Sequence, residues 1–152
     1  MSFASFTEDP QPSAPPSDQV EDVKIEQEWW PDISLAEARE TVRIHGTVSD
    51  ARLLDALSAA AISVNIDLSS WRAKVVASMP DGMSQQQAFL YRRAVHFHAK
   101  AELLERYRDF DSSAERDRRS EADIDLAEDA RRVERWSISE LMGKPRLTVE
   151  LM

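Results

Sequence analysis

Residues 50–77 carry the pattern that most limits this chain. Leu54, Leu57, Ala61, Val64, Leu68, Trp71 and Val75 recur at spacings of 3, 4, 3, 4, 3 and 4. That period fits one face of an α-helix and no strand. A second stripe follows in residues 84–107, where Leu90, Ala94, Phe97, Ala101 and Leu104 repeat at 4, 3, 4 and 3. Two such faces bury each other when the helices pack antiparallel with a crossing angle near ~20°. The expectation is a long helical hairpin, with the first rod running from about 47 to about 77. Its seam is Leu57, Val64 and Leu68 against Leu90, Phe97 and Leu104, and Ala61, Ala94 and Ala101 allow close approach.

Punctuation around these stripes sets the other elements. Ser34-x-x-Glu37 and Ser84-x-x-Gln87 are capping boxes. A first helix is predicted over 34–45, with Leu35, Ala38 and Val42 on one face and Gly46 at its end. Met79-Pro80-Asp81-Gly82 reads as the turn between the rods. Asp109 to Asp125 is dense in both signs of charge and reads as an exposed loop and helix start. A fourth helix then runs to about Met142, with Leu126, Ala130, Val133, Ser137 and Leu141 inward. Gly143 and Pro145 stop it. Leu147, Val149 and Leu151 alternate with Thr148, Glu150 and Met152, a strand pattern with no clear partner strand in the chain. Its backbone groups need a partner, and strand addition to another protein supplies one.

The N-terminal stretch is different in kind. Residues 1–28 hold four of the seven prolines, few large apolar residues and mostly acids. Of the formal net charge of −9, the first 33 residues contribute −7. Such a segment buries too little apolar surface to offset the entropy of ordering it. It also lacks the cationic start and apolar stretch of a secretory signal. Trp29-Trp30-Pro31 closes it. With Trp71 and Trp136, these indoles are candidate anchors in the core or at a subunit interface. The expected organisation is a disordered acidic tail over 1–28, a helical domain over 29–143 and a docking arm over 144–152. The fold class is all-α, a helical bundle.

Catalytic chemistry finds no foothold. Cysteine is absent, and glycine occurs only at 46, 82 and 143, too sparse for a phosphate-cradling loop. His96 and His98 lie about 200° apart around a helix and do not face one metal. No H-E-x-x-H or G-x-S-x-G motif occurs. Arg92 and Arg93 are expected to pair on the helix surface with Glu102, Glu105 and Asp109. An acidic chain is also poorly suited to gripping nucleic acid by its phosphates. Neither a membrane-spanning run nor a cofactor is expected. These features describe a non-catalytic assembly component, with an acidic regulatory adaptor binding a cellular partner as the alternative.

Three stretches carry a resemblance. They are Trp30-Pro31-Asp32-Ile33-Ser34, then Leu90-Tyr91-Arg92-Arg93-Ala94-Val95 through Tyr107-Arg108-Asp109-Phe110-Asp111, and Gly143-Lys144-Pro145-Arg146-Leu147-Thr148-Val149-Glu150-Leu151. Together, over about 29–152, they resemble the head completion/stabilisation proteins (gpL family) of peduovirus-type tailed phages. The resemblance implies a ring-forming head–tail adaptor in the virion neck, made in the host cytoplasm. It implies binding beneath the portal protein after packaging, a dodecamer matching portal symmetry, and a tail-side neck or tail terminator partner. Packaged double-stranded DNA would pass through without tight binding. Within that scheme Leu147, Thr148, Val149, Glu150 and Leu151 dock on the portal or a neighbouring subunit. Asp109 and Asp111 are candidates to face the DNA channel.

Overall fold

The computed structural model describes residues 21–43, 48–107 and 116–144. In chain order these form β1 (Lys24–Ile25), β2 (Ile33–Ser34), α1 (Leu35–Thr41), α2 (Asp50–Asp67), α3 (Ser69–Val75), α4 (Gln85–Tyr107) and α5 (Arg116–Leu141). The protein is thus mostly helical, with one small antiparallel sheet in which Lys24 faces Ser34 and Ile25 faces Ile33.

The helix starts follow their caps. Ser34 Oγ accepts from Glu37 N–H at 3.0 Å and starts α1. At α4 the box is reciprocal: Ser84 Oγ accepts from Gln87 N–H at 3.2 Å, and Gln87 Oε1 accepts from Ser84 N–H at 3.1 Å. Gly82 (φ +99°) and Gly143 (φ +71°) take left-handed conformations that favour glycine, at the turn before α4 and the end of α5.

The expected rod over 47–77 does not form as one helix. It ends at Asp67, and α3 departs at 61°. Leu68, at φ −90° and ψ 0°, is the corner, and its side chain stays fully buried. Asn65, Asp67, Ser69 and Ser70 surround it, residues with weak helix propensity that compete for backbone hydrogen bonds. The corner keeps Leu68 in the core while turning Trp71 toward Trp29, 6.2 Å between ring centroids.

Helix α4 is central. It packs against α2, where Asn65 meets Tyr91 and Asp55 lies 3.7 Å from Arg106. The most extensive helix pairing is α4 with α5 rather than with α2. Glu105 to Arg131 at 3.0 Å and His98 to Glu134 at 2.7 Å fix that pair as antiparallel. Buried Ala94, Ala99 and Ala101 on α4 and Ala127 and Ala130 on α5 let the two backbones approach. The core joins Ile33, Leu35 and Ala38 to Leu53, Leu57, Val64 and Leu68 of α2, and to Tyr91, Val95, Leu103, Ile138 and Leu141. Of the expected seam, Leu57, Val64, Leu68 and Leu104 are buried, while Leu90 and Phe97 are only partly so. On α5, Leu126 is 37% exposed and Ala127 takes its place inside.

The tail boundary also moves. Residues 21–28 belong to the folded unit. Leu35 N–H bonds Val23 O at 2.9 Å. Asp22 accepts from Ser34 Oγ at 2.5 Å and from Ala36 N–H at 3.0 Å. The Ser34 hydroxyl and the Ala36 N–H hold the Asp22 carboxyl below its ordinary value. Two-residue strands show no alternation in sequence, which is why this pairing was not expected.

Candidate assembly surfaces

The tryptophan anchors form a stack at the α3 end of the molecule. Trp29 and Trp30 meet edge to face at 5.0 Å, and Trp30 lies parallel to Tyr91 at 5.3 Å. The Arg72 guanidinium sits over both indoles, 5.2 Å from Trp29 and 5.8 Å from Trp30. Trp29 Nε1 donates to Met79 O at 3.0 Å, tying the start of the domain to the turn before α4. Trp136 is on α5 rather than in this stack, 43% exposed.

Beneath the stack is a closed polar ring that sequence reasoning missed. Tyr91 Oη donates to Asn65 Oδ1 at 2.6 Å, Asn65 Nδ2 to Gln27 Oε1 at 2.9 Å, and Gln27 Nε2 to Tyr91 Oη at 3.0 Å. Burial pushes the Tyr91 phenol up to about 12, so it stays a neutral donor. The available signal was Asn65, a polar residue between Val64 and Ile66 in an apolar helix.

A second network joins α4 to α5. Glu134 is 6% exposed and bridges His98 at 2.7 Å and Arg131 at 3.3 Å. Burial alone would raise the Glu134 carboxyl, but the hydrogen bond and charge from His98, with Arg131, hold it below its ordinary value. His96 is 1% exposed, its Nε2 has no hydrogen-bond partner among the described residues, and burial with the Arg92 charge pushes it down to about 4.

Among the described residues, Arg92 and Arg93 make no ion pair with Glu102 or Glu105, and Asp109 lies outside those residues. Arg92 Nε donates to Asp32 O at 3.0 Å, and Arg93 lies 5.3 Å from the Phe97 ring. Glu102 and Glu105 pair instead with Arg106 and Arg131. Among the described residues, no group of three or more His, Asp or Glu is placed to hold a metal ion. No single described helix is long and apolar enough to cross a membrane, and α2 with α3 reaches that length only across its bend.

The surface chemistry is apolar instead. Ile62 (62%), Ile66 (66%) and Phe89 (57%) are well exposed. Ile62 and Ile66 line an open groove with Trp30, Arg72, Ala73 and Val76. Phe89 and Leu90 line another with Glu140 and Lys144, and a third adds Arg93, Val133 and Trp136. Exposed apolar side chains on helix faces suit contact with other proteins. Asp109, Asp111 and the arm from Leu147 to Leu151 lie outside the described residues.

No solved structure matches the chain. The head completion/stabilization protein of Escherichia phage P2 is 33% identical over 132 residues, covering 80% of this chain and 78% of that protein. The family model described as phage head completion protein (GPL) matches residues 25–152, a span that begins within β1 and takes in every later element. With a helical body, apolar outer faces and that match, the chain belongs to the phage head completion protein (GPL) family.

Proposed function

We propose that the protein completes and stabilises the phage head as a ring-forming adaptor beneath the portal. The helical body forms the ring wall, with residues 29–143 and the β1 segment as its unit. Residues 144–152 are the docking arm onto the portal or a neighbouring subunit. The ring assembles after DNA packaging, helps retain the genome and presents the surface to which tail-side proteins attach. Twelve copies would match portal symmetry. The place of action is the neck of the virion.

One observation carries this reading beyond the family itself. Ile62 and Ile66 on α2 and Phe89 on α4 leave large apolar side chains in water. A subunit in a ring makes heterologous contacts on two sides, so two separate apolar faces are what it needs. The acidic balance supports a conduit in which DNA slides where the acidic N-terminal stretch or the 109–125 region lines it. Asp109 and Asp111 are the proposed channel-facing residues.

Electron microscopy of the purified chain mixed with its cognate portal tests the proposal. A symmetric added layer is expected, and deletion of residues 145–152 should lower portal occupancy. A portal that stays bare at saturating protein would overturn the adaptor reading.

A further inference from the structure

We infer that the groove between α2 and α3 receives Leu147, Val149 and Leu151 of a neighbouring copy. This rests on the ring reading above and names the partner of its docking arm.

The groove has the chemistry of a peptide acceptor. Ile62 and Ile66, one turn apart on α2, form one wall, and Ala73 of α3 with Val76, the residue that ends it, line the other side. Trp30 and Arg72 complete the lining. The Arg72 Nε is buried with no hydrogen-bond partner, and the residue makes no ion pair among the described residues. An occupant therefore needs apolar side chains for the walls and a negative group to meet the uncompensated Arg72 charge. Leu147-Thr148-Val149-Glu150-Leu151 offers three apolar residues, backbone carbonyls and the Glu150 carboxylate.

Geometry puts this contact between copies. The described chain leaves at Lys144, on the groove that Phe89 and Leu90 of α4 share with Glu140 of α5. The acceptor lies on α2 and α3. Helix α4 packs extensively on both α2 and α5, which make little direct contact with each other among the described residues. Crossing from the α5 side to α2 spans two helix spacings, about 16–20 Å. Leu147 is three residues past Lys144 and reaches at most about 11 Å. Leu147 therefore cannot seat in its own groove, and the three side chains enter a groove together only on another copy. A donor on one flank and an acceptor on the other repeat head to tail, which closes a ring.

The chain has no cysteine, so engineered pairs report cleanly. Full-length Ile66→Cys protein and full-length Val149→Cys protein are mixed on the cognate portal and oxidised. Ala73→Cys with Leu151→Cys is a second pair, and Arg132→Cys on exposed α5 is the remote control. A heterodimer should form from each pair at least about tenfold faster than with the control, because docking raises the local thiol concentration. A double-cysteine chain that closes only on itself overturns the assignment to a neighbour. A layer on the portal without cross-links overturns the groove and leaves the ring standing. A bare portal without cross-links overturns both.

Discussion

Trp30 lies flat on Tyr91, their ring centroids 5.3 Å apart and their planes at 16°. This contact joins the entering chain to the central helix, and the Tyr91 hydroxyl beneath it is held by Gln27 and Asn65. Removing a stacked indole from such a site costs about 3–5 kcal/mol. Trp30→Ala should therefore lower the thermal midpoint steeply. Tyr91→Phe keeps the stack but leaves Asn65 Oδ1 unpaired, for a smaller loss of about 1–3 kcal/mol. Denaturant titration of both variants checks the order.

A chain beginning at Trp29 should be less stable than one beginning at Glu21. The shorter chain loses Gln27, the β1–β2 pairing and the Asp22 contacts to Ser34 and Ala36. Each buried or capping hydrogen bond contributes about 1 kcal/mol net, so the difference should be several. Equal midpoints for the two truncations would show that residues 21–28 merely rest on the body.

His96 predicts acid sensitivity. Its ordinary value is 6.5 and its folded value about 4. Above pH 6.5 both folded and unfolded chains carry it neutral, and its contribution is fully present. Between pH 6.5 and 4 the unfolded chain binds a proton that the folded chain refuses, so stability falls with pH. The loss across that window is roughly 3 kcal/mol. His96→Phe should flatten the profile there, as read by urea midpoints at a series of pH values.

Glu134 acts lower on the pH scale. Its folded value is depressed, so its contribution is present above the unfolded value and lost as pH falls through the folded one. Glu134→Ala also leaves His98 and Arg131 without their shared acceptor. A cost of about 2 kcal/mol at neutral pH is expected. A double-mutant cycle with His98→Ala separates the pair's coupling from lost packing.

Leu68→Asp places a carboxylate at a fully buried corner and should abolish cooperative unfolding. Ile66→Asp changes a side chain that is 66% exposed and should leave the fold intact. On the ring reading it instead lowers occupancy of the portal. Circular dichroism separates the two variants, and a soluble, fully helical Leu68→Asp protein would show that the seam lies elsewhere.

Local chemistry was legible in the sequence. Ser34 and Ser84 cap the helices they were expected to cap, and Gly82 and Gly143 sit where left-handed backbone is needed. Such features depend on a few neighbouring residues, so a short window contains them. The periodic stripes gave helices and most buried positions for the same reason. The resemblance carried the family, because its three motifs span the domain.

What tertiary structure decided was orientation and partnership. The stripe through Leu68 stays in phase across the corner, so periodicity could not reveal the 61° bend that brings Trp71 to Trp29. Glu134 reads as a solvated acid until α4 supplies His98 and the fold brings in Arg131. Gln27 looks like tail until Tyr91 and Asn65 present groups that it bridges. In each case the energy comes from burying a polar group or ring against residues distant in sequence. A window along the chain sees one partner of such a contact, and only the folded body contains both.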